Sequence, residues 1–187
     1  MSKSAKLEES PPKAEGLAER VREAAPNGAP PVHLWNPPFS GDLDMQIKRD
    51  GTWFYEGTPI KRPELVRLFA SILKLEDGKY YLVTPVEKVG LTVEDAPFVA
   101  IDFEVERGDL RFETNVGDRV VAGSDNPIRV EENSVTGEPS PYIHIRRGLE
   151  ALIDRKSFYR LVDLGEIEGD EVVVRSAGQT YVIGPVA

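Results

Sequence analysis

Four groups of side chains have types and spacings that could do chemistry. Asp42 and Asp44 are separated by one residue, with Glu87 and Asp102 as further carboxylates along the chain. Carboxylates in that number can hold a divalent cation or work as acid and base. The pair shares one side only where residues 42–44 are extended, because side chains alternate along a strand. The full calcium-loop pattern, with its glycine and terminal glutamate, is missing. Turn capping is the competing role for these aspartates. His33 lies near Trp35, and His144 shares a strand face with Tyr142 and Arg146. Neither histidine sits in a nucleophile motif, so a hydrogen-bonded structural role competes with that of a base. Thr84-Pro85-Val86-Glu87-Lys88 follows a strand at a proline that cannot continue the ladder, a place where cleft edges form. Its competing reading is a solvated crossing between two repeats. Trp35, Phe39, Trp53 and Tyr55 supply the fourth group, either a contact surface or the filling of a seam. No Walker A loop and no dinucleotide fingerprint is present.

The elements that must position these residues are legible from local pattern. Asp50-Gly51, between Met45–Arg49 and Thr52–Glu56, predicts a two-residue hairpin turn. That register sets Ile47 opposite Phe54 and Lys48 opposite Trp53. Met45, Ile47 and Phe54 then share the core face, and Trp53 and Tyr55 share the other with Gln46 and Lys48. A helix follows from Pro63, with Leu65, Leu68, Phe69, Ile72 and Leu73 as its stripe. Asp77-Gly78 turns a second hairpin that sets Glu76 opposite Lys79. Val99, Ile101, Phe103 and Val105 alternate with polar residues as a half-buried strand, and Leu110–Thr114 and Val120–Ala122 are strand-like. Ile128–Glu132 and Tyr142–Arg146 are strands, Asp154 caps a helix over Arg155–Leu164 that stops at Gly165, and Ala177-Gly178 closes a last hairpin.

The second helical region matches the first at constant offset. Ile60, Arg62, Leu65, Arg67 and Leu68 correspond to Ile153, Arg155, Phe158, Arg160 and Leu161, and Tyr81–Pro85 corresponds to Tyr181–Pro185. The expected fold is α+β: two tandem similar β-β-α-β-β motifs joined by a β-rich central segment, with mostly antiparallel sheets. The expected divisions are a flexible tail with a short weak helix over residues 1–31, a first repeat plus central strands over 32–122, and a second repeat over 123–187. The tail assignment rests on its Pro, Ser and charge content and on the marginal stability of short isolated helices.

Charge narrows the function classes. Of 187 residues, 23 are Lys or Arg and 32 are Asp or Glu, a net charge of −9. Residues 1–31 hold five of each sign, so the deficit lies in the rest of the chain. An acidic folded part repels phosphate backbones, and nucleic acid is not an expected partner. No apolar run approaches the ~20 residues needed to span a bilayer, so membrane insertion is not expected. The chain has no cysteine, which removes disulfide and thiolate chemistry and fits a cytoplasmic location.

His33-Leu-Trp-Asn-Pro-Pro, Gly41-Asp-Leu-Asp-Met, Asp50-Gly-Thr-Trp-Phe-Tyr, Gly57-Thr-Pro-Ile, Val83-Thr-Pro-Val-Glu-Lys-Val, Asp95-Ala-Pro-Phe-Val-Ala and Thr114-Asn-Val-Gly-Asp occur in that order. In this combination the chain, over residues 32–187, resembles the bacterial domain-of-unknown-function family 1285. The resemblance implies repeated β-rich motifs each carrying a helix, an association with signal transduction, and a protein partner such as an AAA-type ATPase system. It carries no catalytic residues. The expected function is thus a non-enzymatic binding or regulatory module, taking a protein partner or small ligand at the seam between its repeats. The candidate binding residues are His33, Trp35, Asp42, Asp44, Trp53, Tyr55, Thr84, Glu87, Lys88, Asp102, His144 and Arg146. No catalytic residue, metal ligand or cofactor is assigned. The alternative is a metal-assisted hydrolase, which requires Asp42, Asp44 and Glu87 to converge on a cation.

Overall fold

Five tight turns pace the chain in the computed structural model, which describes residues 13–187. Glu56-Gly57, Asp77-Gly78, Arg107-Gly108, Arg147-Gly148 and Ala177-Gly178 all have positive φ at both residues. That is the type I′ geometry whose twist matches the strands it joins, and glycine in second place keeps its strain low.

The first unit begins with a meander of β1 (Phe39–Ile47), β2 (Trp53–Tyr55) and β3 (Thr58–Pro59), and a second follows with β4 (Leu73–Glu76), β5 (Lys79–Val83) and β6 (Lys88–Val93). They form one sheet in the order β3-β2-β1-β6-β5-β4. Its only parallel pair is the central one, β1 with β6, from Phe39 beside Lys88 to Ile47 beside Val93. The next six strands repeat the plan: β7 (Phe98–Glu106), β8 (Asp109–Thr114), β9 (Arg119–Val121), β10 (Ile128–Glu132), β11 (Pro139–Arg146) and β12 (Leu149–Ile153). Their order is β10-β11-β12-β7-β8-β9, again with the first and last strands parallel at the centre. A third sheet of β13 (Glu166–Glu168), β14 (Glu171–Ser176) and β15 (Gln179–Pro185) closes the chain. The fold is α+β with two similar tandem units and mostly antiparallel strands, as the sequence predicts.

Three details differ from the sequence expectation. The strands β7–β9 are the first half of the second unit, because Phe98, Val99 and Ala100 pair with Ala151, Leu152 and Ile153. The division between sheets therefore falls between Val93 and Phe98 rather than at residues 122 and 123. The helices also occupy different places. Helix α2 (Pro63–Ser71) lies between the two meanders of the first unit, and α3 (Arg155–Leu164) follows the second unit and packs on β7 and β14.

The first hairpin is displaced by one residue. Ile47 stands opposite Trp53, Gln46 opposite Phe54 and Met45 opposite Tyr55. The loop has three residues: Gly51 N donates to the Lys48 carbonyl at 3.0 Å, Gly51 has φ 88°, and Asp50 accepts from Thr52 N at 2.9 Å. This is a type I turn followed by a glycine bulge. One residue of slip moves every side chain to the opposite face. Trp53 therefore joins Met45 and Ile47 in the core, 1% exposed and stacked on Phe69 at 6.3 Å, and Phe54 turns outward beneath Lys48.

The third difference concerns the tail. Residues 14–24 form α1 (Ala14–Ala24), with Ala14, Leu17, Ala18 and Val21 buried and Arg20 ion-paired to Glu87. These four apolar positions fall at helical spacing, and α2 supplies the surface that an isolated short helix lacks. The rest of the tail expectation, over residues 1–12, lies outside the described residues. One continuous core joins α1 through Leu17, α2 through Phe69, both six-stranded sheets through Met45, Phe103 and Phe112, and the third sheet through Val174 and Ile183. Among the described residues no helix is long and apolar enough to cross a membrane.

Candidate functional site

The two units meet through polar side chains carried on strand ends and turns. The loop after β1 brings Gly51 against Asn115, which accepts from Val99 N at 3.0 Å and donates to the Gly51 carbonyl at 3.4 Å. Arg49 in the same loop donates to Ser140 Oγ at 3.0 Å and lies 3.0 Å from Asp95 Oδ2, an ion pair without hydrogen-bond alignment. Tyr142 donates to the other Asp95 oxygen at 2.7 Å. Arg129 lies 4.3 Å over the Tyr142 ring and donates to both Glu150 oxygens, at 2.8 and 2.7 Å. Burial and then the Asp95 carboxylate push the Tyr142 phenol up to about 12. Burial, followed by the charges of Glu150 and Asp95, raises the Tyr80 phenol as well.

The expected binding residues are dispersed. His33 is exposed in a short 3₁₀ turn, and Trp35 is half-buried against the core with its carbonyl accepting from Lys74 Nζ at 3.4 Å. Asp42 and Asp44 point outward from β1. Trp53 is core and Tyr55 packs against it. Thr84 is buried, its hydroxyl accepting from Glu87 N at 3.1 Å and Val86 N at 3.4 Å, so it organises a turn. Glu87 is neutralised by Arg20, and Lys88 lies 2.9 Å from Glu76 and 4.8 Å over Tyr81. Asp102 pairs with Arg160 and accepts from Phe103 N, which together hold its carboxyl below the usual range. His144 Nε2 accepts from Gly148 N and Nδ1 faces the Asp125 carbonyl, both at 2.9 Å, so the neutral ring with its proton on Nδ1 satisfies a tight turn. Arg146 donates to Asp118 and to the Ala70 carbonyl.

Among the described residues no three histidine or carboxylate side chains gather to hold a metal ion. Asp42, Asp44, Glu87 and Asp102 do not converge, and the metal-assisted hydrolase loses the geometry it requires. The aromatic contact surface is corrected too, since Trp53 faces inward.

What the structure does gather is a trough across α3. A cavity of about 430 Å³ has Arg49 of the first unit on one side and Ser140, Asp154, Arg155 and Tyr159 of the second on the other. A second cavity of about 640 Å³ is floored by Val130, Val162, Val172, Val182 and Ile183 and edged by Glu132 and Glu171. Pro139 and Phe158 line both, so the two cavities adjoin along α3. Helix α3 is fixed by Asp154, whose carboxylate accepts from Ser157 N at 2.8 Å. Phe158 and Val162, four residues apart, therefore face the depression together. Arg49, Arg155 and Tyr159 escape sequence reasoning because each reads as an ordinary surface residue. Val162 and Val182, exposed apolar side chains in regular elements, are the available signal.

Comparison with known proteins gives a consistent picture. Residues 30–96 match the model of the N-terminal domain of a domain of unknown function, DUF1285, and residues 97–183 match that of its C-terminal domain. The crystal structure of a DUF1285 family protein from Silicibacter pomeroyi DSS-3 is similar with a TM-score of 0.84 and 60% sequence identity, over 91% of this chain and 96% of that one. A DUF1285 family protein from Shewanella baltica OS155 is similar with a TM-score of 0.53 and 33% identity, over 65% of this chain and 91% of that one. Among curated proteins none matches the chain. The boundary between the two matched domains coincides with the division between the two six-stranded sheets, and the chain belongs to the DUF1285 family.

Proposed function

We propose that this protein is a binding module without catalysis of its own, acting in the cytoplasm in signal transduction, and that a segment of a protein partner seats in the trough across α3. The observation that supports this is that the two cavities adjoin at Phe158 and Pro139. A cavity of 640 Å³ alone is within the range of small-ligand sites. The adjoining pair, running from Arg49 to the Val182–Pro185 end of β15, suits a longer occupant. It also touches both units through Arg49, so an occupant reports on how they are set together. The partner class, on family resemblance, is an AAA-type ATPase system.

Random peptides displayed on phage and selected against the purified chain test this. Enriched sequences whose binding is lost in Val162→Asp and in Tyr159→Ala are expected. Both positions are exposed, so these variants retain the fold. Absence of enrichment over an unrelated folded protein, or binding untouched by both substitutions, would remove the trough as the site.

A further inference from the structure

We infer that the wider half of the trough takes a segment of the partner protein that is both basic and apolar; this rests on the trough being the binding site. Exposed apolar side chains cluster around that half. Val162 of α3 and Val182 of β15 line it and are exposed, and Ile167 of β13, 71% exposed, stands opposite Val172, which also lines it. Contiguous apolar surface of this kind marks a place where another chain is buried. It extends past the cavity, which is why a protein segment fits it better than a compact small molecule.

The charge around this surface has one sign. Glu132 and Glu171 are the charged residues in the cavity lining. Among the described residues, neither of these carboxylates has an ion-pair partner, whereas Glu166 and Glu168 share Arg175 and Glu131 is held by Arg129. Arg160, two residues before Val162 on the helix, is committed to Asp102 and the Phe103 carbonyl. Unpaired carboxylates beside an apolar floor attract lysine or arginine and repel acidic segments. Closing the groove over such a pair also excludes water and strengthens it.

Fluorescence anisotropy with labelled synthetic peptides decides the matter. The probes are a short peptide alternating lysine with leucine and valine, its glutamate counterpart, and a lysine–serine control. The lysine–apolar peptide is expected to bind, weakening as salt rises, and the glutamate form to bind about tenfold more weakly or worse. Glu132→Lys with Glu171→Lys should invert that order, and Val162→Asp should abolish binding while circular dichroism stays unchanged. Equal binding of the lysine–apolar and glutamate peptides would overturn the charge preference while leaving the trough as a site. Equal binding of the lysine–serine control would overturn the apolar component. Failure of all three peptides, together with failed phage selection, would overturn the site itself. A concentration-dependent dimer in sedimentation, lost in Val162→Asp, would overturn the inference by giving this face to a second copy of the chain.

Discussion

Arg146, on β11 of the second unit, donates to the carbonyl oxygen of Ala70 in α2 of the first unit across 2.8 Å. Its other nitrogen donates to Asp118 at 2.6 Å, and its guanidinium lies 5.0 Å over the Phe98 ring. The last carbonyls of a helix lack intrahelical partners and favour a nearby cation, so one side chain of the second unit completes a helix of the first.

Arg146→Ala should therefore lower stability by about 2 kcal/mol, since it strands Asp118 and the carbonyl while their remaining exposure to water limits the loss. Arg146→Lys should recover only part, because a single ammonium cannot serve both acceptors with the geometry of a guanidinium. Urea unfolding measures both. Equal midpoints for wild type and Arg146→Ala would show that the contact contributes nothing.

The Tyr142 phenol is held up to about 12 by burial and by Asp95. A tyrosine in an unfolded chain ionises near 10. Because the folded state keeps its proton longer, this contribution is complete below about pH 10 and disappears as pH rises through about 12. Absorbance of the phenolate should show a late-titrating component that shrinks by one tyrosine in Tyr142→Phe, whose stability should also fall less steeply over that window.

Trp53→Ala should destabilise the chain by about 3–5 kcal/mol, the usual consequence of emptying a large aromatic site. Trp53→Phe should stay within about 1 kcal/mol of wild type. It gives up volume, but it also removes an indole N–H that is buried without a partner. Thermal melts distinguish this from a surface role, in which both changes would leave stability alone.

Gly51→Ala meets two obstacles: a φ of 88° and Asn115 Nδ2, which would lie 2.7 Å from the new Cβ. The left-handed conformation alone costs an L-residue about 1–2 kcal/mol. Stability should drop by at least that much, with chemical-shift changes at Val99 and Asn115 as the loop lifts from the second unit.

Leu17→Ala should cost about 2–5 kcal/mol, because Leu17 is fully buried under α1. An undocked helix would tolerate the change without any shift in the melting temperature, which is the outcome that would sink this assignment.

Much of this molecule was legible residue by residue. Asp77-Gly78 and Ala177-Gly178 turn where their dipeptides say, and Asp154 caps α3 as its spacing predicts. Asp50-Gly51 misled because the dipeptide serves a three-residue loop equally well, with glycine at the bulge and Asp50 bonded to Thr52. Period-two alternation carried the better information there, since it groups Trp53 and Tyr55 with each other whichever register they join. The unit boundary was hidden for another reason. Parallel pairing of β7 with β12 has no short connection and leaves no local mark. Among the candidate carboxylates, Glu87 and Asp102 are each neutralised by a partner distant in sequence, Arg20 and Arg160, while Asp42 and Asp44 face outward from β1. The trough was unreadable because its walls come from six separate segments, none of them unusual alone.

The central parallel pairs also govern the order in which the protein can assemble during synthesis. Residues 39–47 must wait for residues 88–93, so the first sheet stays open at its middle until both of its meanders have left the ribosome. Helix α1, made before any of this, has nothing to rest on until α2 follows it. The second sheet waits likewise, from residues 98–100 to residues 151–153. Nascent chains stalled with Val93 just inside and just outside the ribosome should differ sharply in protease resistance.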